Sequence, residues 1–400
     1  MSVAYCLVLG GTNDHIELIK QLKTNGFHVV LVDYFANPPA AAWADIHEQV
    51  STRDTEALDQ LISKYQPNSI YSACVDSTLV TLWNCSKKYG YNTLFNDAQF
   101  HIISNKPFMK SWMQRHGFPS SRYELIDDFA LLEQMPFSLP LVVKPSMGNS
   151  SKGVSLIHEA SDWKTALELA NSMNREAPIL VEEFIDGKEL SIDLIFLEGR
   201  VHLVMISEII KKSKYSATIT QNVYNRETEE QYRDAVLALA SQLGEAMGLE
   251  NTLMLMQCMV NDEGLSIIEF SLRIGGGSKH HLVQTVKNIN LIDVYIQLMQ
   301  NRTDAVYAQL NEMKTLYHHA LMEYIYPNHP GYIQTISVAE YAPNEGRVFL
   351  YKNAGDQLNS IENSSNRLAG ILVCGNHWNN MLAAKEALLQ KLCFSIQQTN

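Results

Sequence analysis

Short apolar runs alternating with helical periodicity predict a mixed α/β and α+β protein built in three units. Three observations carry that prediction. Tyr5–Leu9 and Val29–Val32 are strand-like runs flanking a helical stretch in which Ile16, Ile19 and Leu22 share one side and Gly26 supplies the stop; this β-α-β order marks an open α/β sheet. Met254–Val260 and Leu265–Phe270 are apolar runs separated by Asn261-Asp262-Glu263-Gly264, a turn of the kind that joins antiparallel strands. After residue 311 the pattern changes to short β-like pieces, Ala320–Tyr326, Thr335–Tyr341, Arg347–Tyr351 and Ala369–Cys374, and then a helical run from Trp378 to Leu392. We therefore expect an open α/β unit over residues 1–95, a unit of two α+β lobes over 96–310 with a lid over 120–185, and a small α+β unit over 311–400.

A chain of 400 residues exceeds what one hydrophobic core supports, and an apolar fraction of 46% is ample for several. No apolar run reaches the ~18–20 residues needed to span a bilayer, and Met1–Gly11 lacks the basic and small-residue features of a signal peptide, so a soluble, cytoplasmic protein with no membrane partner is expected. Cys6, Cys74, Cys85, Cys258, Cys374 and Cys393 are scattered and read as reduced, buried fillers. A net charge of -12 repels a phosphate backbone, which argues against a nucleic-acid partner. The basic knot Lys211-Lys212-Ser213-Lys214 reads equally as a solvated loop or as a neighbour of phosphate groups.

The Gly10-Gly11-Thr12-Asn13-Asp14-His15 turn, with Asp33 after the second strand, invites a dinucleotide reading. It lacks the G-x-G-x-x-G order that the close approach of a pyrophosphate needs, and that reading is set aside. Ser69–Val75 reads as a further strand and Thr78–Tyr89 as a further helix. Asn105-Lys106-Pro107 opens a helix that stops at Gly117. Leu139–Lys144 is a strand ending at Pro145, and Val154–Ile157 resumes the pattern after the polar loop of residues 146–153. Ile179–Phe184 and Leu190–Leu197 pair around Asp186-Gly187, and Gln231–Met247 and Leu291–Met299 are helical.

The chemistry-bearing residues lie in the middle unit. Lys106 at a helix start and Lys144 at a strand end can each neutralise phosphate charge, and the loop carrying Ser150, Ser151 and Gly153 offers backbone N–H groups to terminal phosphates. Glu182, Glu183 and Ile185 border a strand end that could present backbone groups to a purine edge, while Glu189 could accept from ribose hydroxyls. In the hairpin, Gln257 can face Glu269, and the alternation of a strand places Glu269, Ser271 and Arg273 on one face. Together these are the parts needed to hold a nucleoside triphosphate and its metal.

In this order the motifs resemble those of the ATP-grasp superfamily of carboxylate-amine ligases. Lys106 with Gly117-Phe118-Pro119 resembles the first lysine and the turn that follows it. Leu141-Val142-Val143-Lys144-Pro145 with Ser150-Ser151-Lys152-Gly153-Val154 resembles the second lysine and the phosphate-covering loop. Val181–Ser191 is similar to the adenine and ribose segment, and Ile268-Glu269-Phe270-Ser271-Leu272-Arg273 to the E-x-N-x-R metal strand. Residues 1–95 look like the domain that precedes the grasp. Single motifs of this kind are unspecific; four in order are specific.

The resemblance implies that Lys106 and Lys144 bind ATP phosphates, that Glu183 and Ile185 touch adenine through their backbones with Glu182 beside the base, and that Glu189 binds ribose. It further implies that Gln257, Glu269 and Ser271 hold magnesium, or manganese in its place, and that Arg273 contacts the transferring phosphate or the acyl intermediate. Two positions depart from the pattern. Gln257 stands where an acid is common, although the ATP-grasp domains of carbamoyl phosphate synthetases use glutamine similarly, and Ser271 stands where asparagine is usual. The chemistry implied is attack of a small carboxylate on the γ-phosphate and capture of the acylphosphate by an amine, with amino-acid substrates as the leading expectation. A purine-biosynthesis type of enzyme activating bicarbonate or formate is the alternative, and a non-catalytic ATP-binding regulator the bland one. A homodimer is the assembly such enzymes suggest. His280 and His281 read either as a capped helix start or as substrate contacts; adjacent residues on a helix point apart, and no partners lie at zinc spacing.

Overall fold

The computed structural model describes residues 3–127, 134–146, 153–173, 177–213, 216–359 and 364–398. The chain opens with β1 (Tyr5–Leu9), α1 (Asp14–Thr24), β2 (His28–Val32), β3 (Ile46–Glu48), α2 (Thr55–Tyr65), β4 (Ser69–Tyr71) and α3 (Asp76–Tyr89). The strands form a parallel sheet in the order β3-β2-β1-β4. Strict alternation divides them between two cores. Cys6, Val8, Val29 and Leu31 face α1 and its Leu18, Ile19 and Leu22, whereas Leu7, Leu9, Val30 and Val32 face Leu58, Leu61 and Ile62 of α2 and Leu82 of α3. Burial on both faces explains why these strands read as continuous apolar runs.

Next come α4 (Asp97–Ser104), α5 (Lys106–Arg115), β5 (Tyr123–Ile126), β6 (Leu141–Pro145), β7 (Ser155–Ile157), α6 (Trp163–Met173) and β8 (Ile179–Glu183). The Asn105 side chain caps α5 by accepting from Phe108 N–H at 2.9 Å, which fixes Lys106 as the first helical residue and puts Lys110 one turn further on the same face. Strands β5-β8-β6-β7 make a small antiparallel sheet closed by α6 over Leu141, Val143, Ile157 and Val181.

The largest sheet uses β9 (Lys188–Leu197), β10 (Arg200–Lys211), β11 (Ile219–Asn225), β12 (Thr252–Asn261) and β13 (Gly264–Ser271), with α7 (Arg226–Met247) between β11 and β12. After α8 (Lys279–Lys287), α9 (Leu291–Met299) and α10 (Thr303–Glu312) the chain continues as β14 (His319–Ile325), β15 (Gly331–Val338), β16 (Arg347–Leu350), β17 (Gln357–Leu358), β18 (Ala369–Gly375), α11 (Trp378–Lys391) and β19 (Leu392–Gln397). The strand order is β13-β12-β9-β10-β11-β14-β18-β16. The change of texture after residue 311 is thus a change of element length rather than of sheet, because β14, β18 and β16 extend the same ladder. Strands β17-β15-β19 stand apart as a small sheet.

Helix α7 begins at Arg226, five residues before the run the sequence marks, because Asn225 accepts from Glu227 N–H and sets the start. Among the described residues no helix is long and apolar enough to cross a membrane. Four of the cysteines are buried, but Cys374 is half-buried and Cys393 is exposed, since β19 lies in the small outer sheet.

Candidate active site

The β12–β13 hairpin pairs Gln257 with Glu269, as the sequence predicts. The next pair is Cys258 with Ile267, so Ile268 is an extra residue on β13. The bulge has a consequence for aim. Ile267 packs into the core with Phe270 and Leu272 although a regular strand would put it on the face of Glu269 and Ser271, and the bulge releases those two side chains and Arg273 toward the cleft.

In the cleft Lys106 Nζ lies 3.1 Å from Glu269 Oε2. The neighbouring Glu269 charge raises the Lys106 pKa despite burial, and Lys106 in turn lowers that of Glu269, with Lys144 adding to the effect. Arg273 does not point into free space. Its Nε and Nη2 donate to Asp76 Oδ1 and Oδ2 at 2.5 and 2.7 Å, and Ser271 Oγ donates to Asp76 Oδ1 at 3.0 Å. Desolvation at the cleft wall would raise the part-exposed Asp76 carboxyl, but Arg273 outweighs it and holds the pKa low.

On the small sheet, Lys144 Nζ lies 2.5 Å from Glu182 Oε2, and Lys110 Nζ from α5 lies 2.7 Å from Glu182 Oε1. All three side chains are buried. Burial alone would raise Glu182, yet Lys144 and Lys110 together bring its pKa down to about 2. Glu182 therefore engages lysines, and its role beside the base stays an implication of the resemblance. Glu183 sits at the rim, its carboxylate held by Arg122 at 2.5 and 2.9 Å and its N–H donating to the Arg122 carbonyl at 3.0 Å. Ile185 follows half-buried at the strand end. Glu189 is paired with Lys211 at 2.5 Å, so the first lysine of the basic knot belongs to the site wall. Gly153 has φ +73°, and a Cβ there would stand 2.6 Å from the Met173 side chain, which explains the glycine. Ser150 and Ser151 lie outside the described residues.

Behind Arg273, the start of α8 is capped from a distance. Ser278 makes no side-chain cap bond; instead Asp14 of α1 accepts from Gly277 N–H at 3.0 Å and Ser278 N–H at 2.6 Å. The buried Lys279 donates to Ser191 Oγ and pairs with Asp193 at 2.7 Å, which pins α8 to β9; burial lowers the Lys279 pKa and raises that of Asp193. His280 and His281 do not point apart, their ring centroids being 4.1 Å from each other, because Phe349 stacks on His281 and burial holds both rings against the large sheet. Burial first, and then the His280 neighbour, drives the His281 pKa to about 2. Arg367 lies over the Tyr324 ring at 3.8 Å, beside Gly277. The dinucleotide acid is accounted for: Asp33 accepts from Gly11 N–H at 2.7 Å and Phe35 N–H at 2.9 Å, a structural use of its carboxylate.

Sequence reasoning missed Asp14, Asp76, Lys110, Lys279 and Arg367. Asp14 and Asp76 each carried a readable signal, an acid in the first helical turn after a parallel strand, where open α/β sheets bind ligands.

Residues 137–280 match the family model described as an ATP-grasp domain. The formate-dependent phosphoribosylglycinamide formyltransferase of Aliivibrio fischeri is 28% identical over 193 residues, covering 46% of this chain and 48% of that relative. The chain spans about half the length of the curated relatives it matches. Among solved structures, the L-amino acid ligase from Bacillus licheniformis covers 100% of both chains with a TM-score of 0.76 at 19% identity. The biotin carboxylase domain dimer of the Hydrogenobacter thermophilus 2-oxoglutarate carboxylase, solved with MgADP and bicarbonate, covers 100% of this chain and 92% of that one with a TM-score of 0.78 at 13% identity. At these identities the structures establish the mixed α/β fold.

Proposed function

We propose that the protein is an ADP-forming enzyme that activates a small carboxylate, formate in the first instance, as an acyl phosphate and delivers the acyl group to an amine. The carrying observation is the cleft in which Lys106, Glu269 and Gln257 meet the Arg273–Asp76 pair. The formyltransferase relatives support a one-carbon acid over the amino acid that leads the sequence reading. Amino-acid activation stands second, supported by the run Gly275-Gly276-Gly277, which borders the site with backbone rather than side chains.

Glu269 and Gln257 offer adjacent hard oxygen donors, a set that fits magnesium or manganese; the Ser271 hydroxyl is already committed to Asp76. The bound metal would neutralise charge on the phosphoryl oxygens. Lys106 and Lys144 supply fixed positive charge to the phosphates, and Arg273, exchanging Asp76 for the acyl phosphate, stabilises the oxygens between which the phosphoryl group moves. A carboxylate oxygen attacks the γ-phosphorus and ADP leaves; the amine nitrogen then attacks the acyl carbon, phosphate leaves and the nitrogen loses a proton. No protein nucleophile takes part.

The test is ADP release with ATP, magnesium and oxygen-18 formate, bicarbonate or amino acids, with and without amine acceptors. Formate-dependent ADP with label in the released phosphate is expected. Turnover only with amino acids moves the second reading to first. Nucleotide binding with no substrate-dependent ADP overturns the enzyme in favour of a regulator.

A further inference from the structure

We propose that Lys110 is a positioning residue for nucleotide binding: it keeps the Glu182 carboxylate in place when Lys144 turns from Glu182 to a phosphate. The inference rests on the proposed nucleotide site.

The two lysines share one carboxylate but differ in how they are held. Lys110 Nζ contacts Ser120 Oγ at 2.7 Å, Ser121 Oγ at 2.8 Å and Glu182 Oε1 at 2.7 Å. Two hydroxyls accept from the ammonium and the Glu182 carboxylate faces it as an ion pair, so oxygens enclose it on three sides. With a side chain 3% exposed, it cannot turn to a ligand. Among the described residues the one ion pair of Lys144 is with Glu182, at 2.5 Å, and no hydroxyl cage like that of Lys110 is seen around it.

A triphosphate competing for Lys144 would strip Glu182 of one cation. Were Lys110 absent, the carboxylate, 6% exposed, would be left buried without a countercharge, and the nucleotide would have to displace Lys144 against that penalty. Lys110 removes the penalty because its bond to Glu182 is the same before and after the exchange.

The tether reaches the metal hairpin as well. Ser120 Oγ donates to the Ile267 carbonyl at 2.9 Å, and Ile267 N–H donates to the Pro119 carbonyl at 2.7 Å. Ile267 adjoins the bulge that aims Glu269. Lys110 thus joins the strand bearing Glu182 to the hairpin bearing Glu269, and sets the phosphate end of the cleft from both sides.

The experiment is a double-mutant cycle of Lys110→Met and Glu182→Gln in the full chain, read by calorimetric binding of MgADP and a nonhydrolysable ATP analogue, which requires no knowledge of the acceptor. Lys110→Met is expected to weaken binding of the ATP analogue about 30-fold or more, the change that ~2 kcal/mol of unpaired buried charge produces. In the Glu182→Gln background the same substitution should change affinity by about threefold or less, because no carboxylate is left to hold. Lys110→Arg should restore most of the affinity. Where Lys110→Met does not fold, Lys110→Gln runs the same cycle, since its amide can still meet Ser120 and Ser121. Equal losses in both backgrounds, or wild-type affinity in Lys110→Met (or in Lys110→Gln where that variant replaces it), overturn the inference while leaving the nucleotide site standing. Failure of the wild-type chain to bind either nucleotide instead overturns the functional reading beneath it.

Discussion

Replacing Glu182 by glutamine tests the electrostatics of the buried triad most directly, because the substitution removes the charge and keeps the shape. The carboxyl pKa falls from 4.5 to about 2 on folding. That difference of about 2.5 units, at 1.36 kcal/mol per unit, amounts to ~3 kcal/mol of stability at pH 7. No discount for solvent is needed, since the side chain is 6% exposed. The sign follows from the depressed value: the contribution is complete above the unfolded pKa and is lost as pH falls from 4.5 toward 2. The variant has a second pH limit. Burial already lowers the Lys110 pKa, and without Glu182 this lysine sheds its proton more readily, so the penalty also eases at alkaline pH. Urea unfolding of both proteins, followed by the signal of Trp163 beside the small sheet, should show the largest difference near neutrality and a smaller one at pH 3.5. A difference below ~1 kcal/mol at pH 7, the range of a surface ion pair, would refute the reasoning.

Glu269→Ala should abolish metal-dependent ADP formation, because water cannot replace a carboxylate in orienting the phosphates; near-normal rates would make the hairpin purely structural. Asp76→Asn keeps the size of the side chain but surrenders the charge on which Arg273 rests; turnover should fall about tenfold or more while the melting temperature moves by about 2 °C or less, the pair being partly exposed, and the reverse pattern would show a structural clamp. Gly277→Ala meets a backbone φ of +73° and a Cβ position 2.5 Å from Arg367 Nη1, so it should destabilise by ~2 kcal/mol or more in thermal unfolding, and a neutral result would show that the glycine run is free to rearrange.

The hairpin was the most legible part of the site, since alternation along Leu265–Phe270 and the Asn261–Gly264 turn together specify which side chains face each other. The bulge at Ile268 was not legible: nothing in a run of isoleucines says which one is extra. The parallel sheet was readable from its apolar runs and glycine stops, and the acids at its helix starts marked its ligand edge, but their partners were not readable. Asp76 meets Arg273 across 197 residues and Asp14 meets Ser278 across 264, separations at which periodicity carries no information. Lys110 was hidden for a different reason. Four residues after Lys106 on a polar helix, it looks like a solvated charge, and only the packing of α5 on the large-sheet core, with Glu182 of β8 facing it, makes it one of the most buried cations in the molecule.

The continuity of the large sheet across residue 311 makes it a ruler. Five steps separate β13, which carries Glu269, from β14, which carries Tyr324, and at ~4.8 Å per step those two strands lie about 24 Å apart along the ladder. Glu189, Gln257 and the Arg367 guanidinium over Tyr324 are all graduated on that scale. Whatever travels during a catalytic cycle, this frame supplies the reference against which it is measured, and the small sheet holding Lys144 is the piece built separately from it.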